Sequence, residues 1–200
     1  MRSTTRPAIS VQWTFAIAAS FRNSIPSSAI QAAIDAATAV AAIRALARPD
    51  IGVDALSAGI ESARWPARLQ LLSDGDLARR AGPKRELWLD GGHNAAAGEA
   101  LAEVARRWAD LPLDLVMGHL ANRPPAEFLA PLARHARALY AVPIPNGADC
   151  HSPEALAAAA SALGLPASPY GGIAAALEAL SGGDPAPSRI LICGSLYLAG

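Results

Sequence analysis

The chain has almost no lysine: of its 17 basic residues only Lys84 is not arginine. Basic and acidic side chains balance at 17 each, so the sequence lacks the basic footprint that nucleic acid requires. Cysteine is nearly absent too. Cys150 and Cys193 are too few for a disulfide framework or a cysteine-based zinc site, and no metal site is expected. Cys193 lies in the apolar run ILIC and reads as a buried strand residue. Cys150 adjoins His151, but neighbours on an extended chain point to opposite sides, which argues against a thiol–imidazole pair. No apolar run reaches the ~18 residues needed to span a bilayer, so no membrane partner is expected. There is no internal repeat.

What is present is an apolar fraction of 52% with only 17% charge, over 200 residues. That balance predicts one or two packed domains rather than disorder. At the start, Arg2 and Arg6 precede the run Val11 to Phe21, and Ala16-Ile17-Ala18 resembles a cleavage site. This is a weak secretory pattern. A leader outside the fold over residues 1–25, in a cytoplasmic protein, is the preferred reading.

From Ser27 to Ala47 the chain is nearly all helix formers, with Ile30, Ile34, Ala37, Val40, Ala41 and Ile43 close to a 3.6 period. A shorter helix is expected from Val53 to Ala63, and Pro66 then interrupts, marking a linker or strand entry. Beyond it the pattern alternates. Strands are predicted at Leu87–Asp90, Leu113–Met117, Leu139–Ile144 and Arg189–Cys193. Helices are predicted at Ala95–Trp108, Pro125–Ala138, Ser152–Leu163 and Ile173–Leu180, with an exposed loop at Ser181–Pro187. Such alternation predicts an α/β fold whose mostly parallel sheet is covered by helices.

The chain is organised around ELWLDGGHNAAAGEALAEVARRW, Glu86 to Trp108. An apolar strand runs into the turn Asp90-Gly91-Gly92-His93-Asn94, and Leu101, Val104, Ala105 and Trp108 share one helix face. Asn94 is a candidate N-cap. Strand-to-helix turns are where α/β sheets bind ligands, because backbone amides converge there and the helix dipole favours an anion. Asp90 could reach a ligand hydroxyl or metal-bound water, and His93 a phosphate or ribose, with the glycines admitting the ligand. The alternative is a tight turn with an Asn cap. The glycines at 91, 92 and 98 do not form a dinucleotide fingerprint. Arg68 could fork onto a phosphate. The stretches after Met117 (Gly118 to Arg123, including Asn122) and after Cys193 (Gly194-Ser195-Leu196-Tyr197) bring further polar groups to the same rim. His135, among Arg134 and Arg137, reads as a helical surface residue.

WPARLQ, LWLDGGHNAAAGEAL, VMGHLANR, SPEALAAAASALGL and RILICGSLYLAG resemble successive blocks of the bacterial bifunctional folylpolyglutamate synthase/dihydrofolate synthase family, over roughly residues 29–200. IQAAIDAATAVAAIRAL is similar to the helix ending that family's central domain. The resemblance implies a Mur-ligase-type enzyme of folate biosynthesis. Its Rossmann-like carboxyl-terminal domain would occupy residues 65–200, after a helical remnant of the central ATPase domain at 26–64. Such a ligase uses ATP and magnesium to activate a carboxylate on a pterin or folate substrate, which the amine of glutamate then attacks.

Residue by residue, the resemblance implies that Arg68, Asp90 and His93 contact ATP, and that Asn94, Asn122 and Ser195 line the cleft. The family's LANKD is LANRP here, with Arg123 and Pro124 in place of Lys and Asp. Asp35 stands where the family has Asn, and Gln31 where it has His, which weakens an adenine contact. Ala67 replaces the family's Gly. No G-x-x-x-x-G-K-[ST] phosphate loop occurs in these 200 residues. Phosphoryl transfer rests on such positioning elements. The expectation is therefore a carboxyl-terminal portion that is inactive alone and carries half a site. Alternatively, it is a non-catalytic module docking on a separate ATPase-domain chain.

Overall fold

The computed structural model describes residues 27–48, 50–63, 66–145, 149–183 and 185–198; the expected leader at 1–25 and Trp65 lie outside the described residues. Two helices come first, α1 (Ser27–Ala45) and α2 (Val53–Ser62), close to the bounds that periodicity gives. No residue of α2 is buried, and Val53 is 73% exposed. Among the described residues, no helix is long and apolar enough to cross a membrane.

The rest builds one six-stranded sheet. In chain order it contains β1 (Gln70–Leu71), α3 (Gly75–Ala81), β2 (Arg85–Leu89), α4 (Ala95–Arg107), β3 (Leu113–Met117) and α5 (Pro125–Ala133). Then follow β4 (Ala138–Ala141), α6 (Pro153–Ala162), β5 (Ala167–Pro169), α7 (Ile173–Gly182), β6 (Ser188–Cys193) and a single 3₁₀ turn, Leu196–Leu198. The spatial order is β1-β2-β6-β3-β4-β5. All pairs are parallel except β1 with β2, where Gln70 faces Leu89. The last strand inserts between β2 and β3. The order of the connections reverses at that point while the strands stay parallel, so the carboxyl ends of β2, β6 and β3 lie side by side on the edge where such folds bind ligands.

Both faces are covered. On one, α4, α5 and α6 bring Leu101, Phe128, Leu129, Leu132 and Leu156 against Leu113, Leu115, Met117 and Leu191. On the other, α3 and α7 bring Ala81, Leu177 and Leu180 against Leu87, Val116, Ile190 and Ile192. Each fully buried Leu or Ile contributes about 1.5–3 kcal/mol. Burial on both faces explains why β3 and β6 read as mainly apolar runs without alternation, LVM in the one and ILIC in the other. Asp114 breaks the run in β3; it is fully buried and bonds Arg137 through Nε at 3.0 Å and Nη2 at 2.6 Å. At the amino edge, Arg189 bonds Glu86 and Asp110, each at 2.6 Å, and lies over the Trp108 ring.

Two caps act as their residue types dictate. Asn94 accepts from the Ala97 amide at 2.9 Å, and Ser152 from the Ala155 amide at 3.2 Å, ahead of Pro153 at the first helical position. The expected helix to Ala138 is corrected: α5 stops at Ala133. Pro131 lacks the amide its last turn would use, and residues 134–137 turn back so that the Arg137 amide reaches the Leu113 carbonyl. His135 is thus not helical. It is half-buried after the helix end, where Nε2 accepts from Arg134 Nε at 3.0 Å. The strand expected over 139–144 ends at Ala141, and β2 ends at Leu89, leaving Asp90 in the turn.

Candidate functional site

Because β1 runs antiparallel to β2, the loop before it lies beside the carboxyl end of β2. That places residues 66–69 next to the turn at 90–94. Asp90 joins the two. It is 8% exposed; Oδ2 accepts from the Leu69 amide at 2.8 Å and Oδ1 from the Gly92 amide at 2.7 Å. The Gly91 amide donates to the Ala67 carbonyl at 2.8 Å, and the Gln70 side chain accepts from the Ala67 amide at 3.0 Å.

These bonds hold an otherwise unfavourable backbone. Ala67 has φ of 55° and Leu69 of 43°, both in the left-handed region. Each costs roughly 1–2 kcal/mol in a residue with a Cβ. The Leu69 bond to a carboxylate, at about 1.5–3 kcal/mol, together with the Gly91 and Gln70 bonds to Ala67, offsets that cost. The result is a fixed bulge with Arg68 at its tip, exposed. Ala67 is itself fully buried, so its methyl group is accommodated, but its φ is one a glycine would adopt without strain.

The glycines serve packing. A Cβ on Gly91 would meet the Leu196 side chain at 2.7 Å, and one on Gly92 would meet Asp90 Oδ1 at 2.9 Å. Gly194, with φ of 94°, would bring a Cβ to 2.6 Å from the Gly118 carbonyl. They let the three turns at the ends of β2, β3 and β6 close on one another. The Gly194 amide donates to the Gly92 carbonyl at 2.9 Å, and the Gly118 amide to Cys193 at 3.4 Å. The 90–94 turn carries the expected Asn cap, with Asn94 accepting from the Ala97 amide. Asp90 braces that turn, with both carboxylate oxygens bonded to backbone amides.

The other candidates lie around this brace. His93 is exposed, its Nδ1 2.9 Å from the Gly91 carbonyl. Asn94 is committed to capping α4. Ser195 is 2% exposed, and its hydroxyl accepts from the Tyr197 amide at 3.2 Å. Asn122 is exposed in the loop after β3, and Asp35 is exposed on α1. The structure thus brings Arg68, Asp90, His93, Asn94 and Ser195 to one rim, with Asn122 on the neighbouring loop. Among the described residues there is no group of three or more His, Cys, Asp or Glu that could hold a metal ion. Two clefts lie away from the rim, beside α3 and at Ala105–Leu113 with Arg134–Arg137. The rim is an open shelf. Burial pushes the Cys193 thiol well up, which leaves it inert.

Sequence reasoning missed two of the residues that build this shelf. Gln70 was legible only as part of WPARLQ. His119 stood among the polar groups after β3 without a role. It is 1% exposed, with Nδ1 2.9 Å from its neighbour's carbonyl at Leu120 and Nε2 3.1 Å from the His93 carbonyl.

No family model matches the chain. A probable bifunctional folylpolyglutamate synthase/dihydropteroate synthase of Haloferax volcanii is 32% identical over 154 residues, 76% of this chain and 17% of that protein. A folylpolyglutamate synthase of Lacticaseibacillus casei is 30% identical over 141 residues, 70% of this chain and 29% of its own length. The solved structure of E. coli FolC in complex with DHPP and ADP superposes with a TM-score of 0.67 at 26% identity, over 82% of this chain and 36% of that one. The chain therefore spans less than a third of the length of those two curated relatives. The resemblance seen in the sequence blocks holds in both sequence and fold.

Proposed function

On the premise of that resemblance to the folylpolyglutamate synthase/dihydrofolate synthase family, we propose that this chain supplies the nucleotide-facing wall of an ATP-dependent ligase of folate metabolism. In this reading residues 65–200 are the carboxyl-terminal domain, and 26–64 belong to a central ATPase domain. Such a ligase transfers the terminal phosphoryl group of ATP to a carboxylate of a pterin or folate. The amine of glutamate then attacks the acyl phosphate, an amide bond forms and inorganic phosphate leaves.

The single observation that carries the reading is the braced bulge. Asp90 fixes residues 67–69 so that the exposed Arg68 guanidinium stands at the switch-point rim. A planar, permanently charged fork suits a phosphate. His93 and the first amides of α4 face the same rim and add donors at a helix amino end. Asn122 and Ser195 border the cleft, and Asp35 weakens the contact to adenine. Magnesium and the phosphate loop come from residues outside these 200. The chain alone therefore binds nucleotide weakly and does not turn over.

The test is twofold. ATP titrated into the purified chain binds, and Arg68→Ala weakens it about tenfold, equivalent to about 1.4 kcal/mol; equal affinities would overturn the role of Arg68. With dihydropteroate or tetrahydrofolate, glutamate, magnesium and ATP, the chain alone produces no ligation, and turnover would overturn its dependence on a second half.

A second reading, an α/β module that docks on a separate ATPase-domain chain, is favoured by one feature. Leu46 and Val53 are each 73% exposed and Ile60 45%, along α1's end and α2. Co-purification with a separately expressed phosphate-loop domain supports it, and failure to associate counts against it.

A further inference from the structure

The turn at 90–94 leaves β2 and the loop at 118–123 leaves β3, two parallel strands that have β6 between them. Among the described residues, one hydrogen bond joins them directly: His119 Nε2 to the His93 carbonyl, 26 residues apart. The loop end of that link is anchored. The His151 amide donates to the His119 carbonyl at 2.9 Å, the Ala121 amide to Asp149 at 2.9 Å, and Leu120 bridges Cys150. His151 also reaches the Arg123 carbonyl through Nε2 at 2.9 Å. At Gly118 a Cβ would approach the Val142 carbonyl at 3.0 Å, so the loop packs closely there and leaves little room for a side chain. The His119 ring stands on a firm base and reaches across to the other turn.

We propose that His119 is a positioning residue that clasps the 90–94 turn through its Nε2–H, fixing the His93 main chain and the entry to α4 at the nucleotide rim. The inference deepens the proposed nucleotide site and rests on that reading only for its consequence on binding. The chemistry follows from the ring's two neighbours. Both are carbonyl oxygens, which accept only, and a neutral imidazole has one N–H to give. The Nε2–H tautomer closes the clasp; the Nδ1–H tautomer spends the donor on the neighbouring Leu120 and leaves the His93 carbonyl without it. Burial holds the ring neutral, so the tautomer decides.

The decisive measurement needs no variant. Long-range ¹⁵N–¹H correlation spectra of the whole chain at neutral pH should show His119 protonated at Nε2, and the Nδ1–H pattern would overturn the clasp. Two polar variants separate positioning from packing. In His119→Gln the amide NH2 reaches the Nε2 position and keeps the cross-loop bond. In His119→Asn it reaches only the Nδ1 position. Hydrogen exchange at Gly92 to Ala97, relative to β3, should rise about tenfold in His119→Asn and stay near the parent value in His119→Gln. Equal rates in the two variants would overturn the proposal. ATP affinity should follow the same order. If the parent binds no ATP, the nucleotide reading fails while tautomer and exchange still decide the clasp.

Discussion

Asp90 shows how a side chain can matter to a site through its backbone partners. Both its oxygens are filled by the amides of Leu69 and Gly92, so the carboxylate shapes the loop that presents Arg68. Asp90→Asn tests this, because an amide has one oxygen. Its NH2 group must then face one of the two N–H donors, leaving that donor unsatisfied in a buried place. The expected cost is about 1–3 kcal/mol, read as a lower urea midpoint with unchanged slope. ATP affinity should fall with it as residues 67–69 relax. A variant as stable as the parent would mean the bonds to Leu69 and Gly92 are not what holds the bulge. The same residue marks a limit of sequence reading. The DGGHN block made Asp90 visible, but its partner Leu69 lies 21 residues away, beyond an antiparallel pairing of two residues. Spacing alone carries no trace of such a contact.

Among whole elements, legibility follows length and cap chemistry. The turn-to-helix junctions at Asn94 and Ser152 were readable because the cap residue agrees with the apolar period at the first and with Pro153 and Glu154 at the second. By contrast α3 is seven residues of GDLARRA, too short for a period, and β1 and β5 have two and three residues. Tertiary context makes them: Arg80 of α3 bonds both Asp76 and Glu178 of α7, and β1 exists only by pairing with β2. Glycines give a paired test of the helices. Gly98 of α4 lies against α5, where a Cβ would meet the Phe128 carbonyl at 2.3 Å, a backbone atom that cannot swing away. Gly59 of α2 has nothing within 4 Å. Gly59→Ala should stabilise the chain by about 0.5–1 kcal/mol through helix propensity. Gly98→Ala should lose about 1–3 kcal/mol despite the same propensity gain, because the helix pair must separate. Opposite shifts in thermal midpoint are expected; shifts of the same sign would mean α4 and α5 do not pack in this register.

For the molecule as a whole, the titrating groups make stability a dome in pH, and its acid limb has an identifiable first cause. His119 has its pKa pushed below the ordinary 6.5, chiefly by burial, with the two carbonyl bonds opposing and the nearby His151 and His93 adding to the fall. A base whose folded pKa is depressed binds its proton more readily when unfolded. Acidification below about 6.5 therefore favours the unfolded chain, and the loss continues until pH passes the lower folded value. His135 acts in the same direction, through burial and Arg134. The paired carboxylates come later. Arg189 holds Glu86 and Asp110 below their ordinary values, so their contribution is present above about pH 4.5 and lost beneath it. On the alkaline side, burial raises Cys193 and Tyr140 above 9.0 and 10.0, so the folded state favours their protonated forms and stability declines as pH climbs past those values. Urea midpoints should thus hold level near pH 7 to 8, fall in a first step below about 6.5, and fall again below about 4.5. His119→Gln, which carries no proton to gain, should reduce the first step and leave the second unchanged. A first step of full size in that variant would assign it to His135 instead, and would remove His119 from the pH response of the fold.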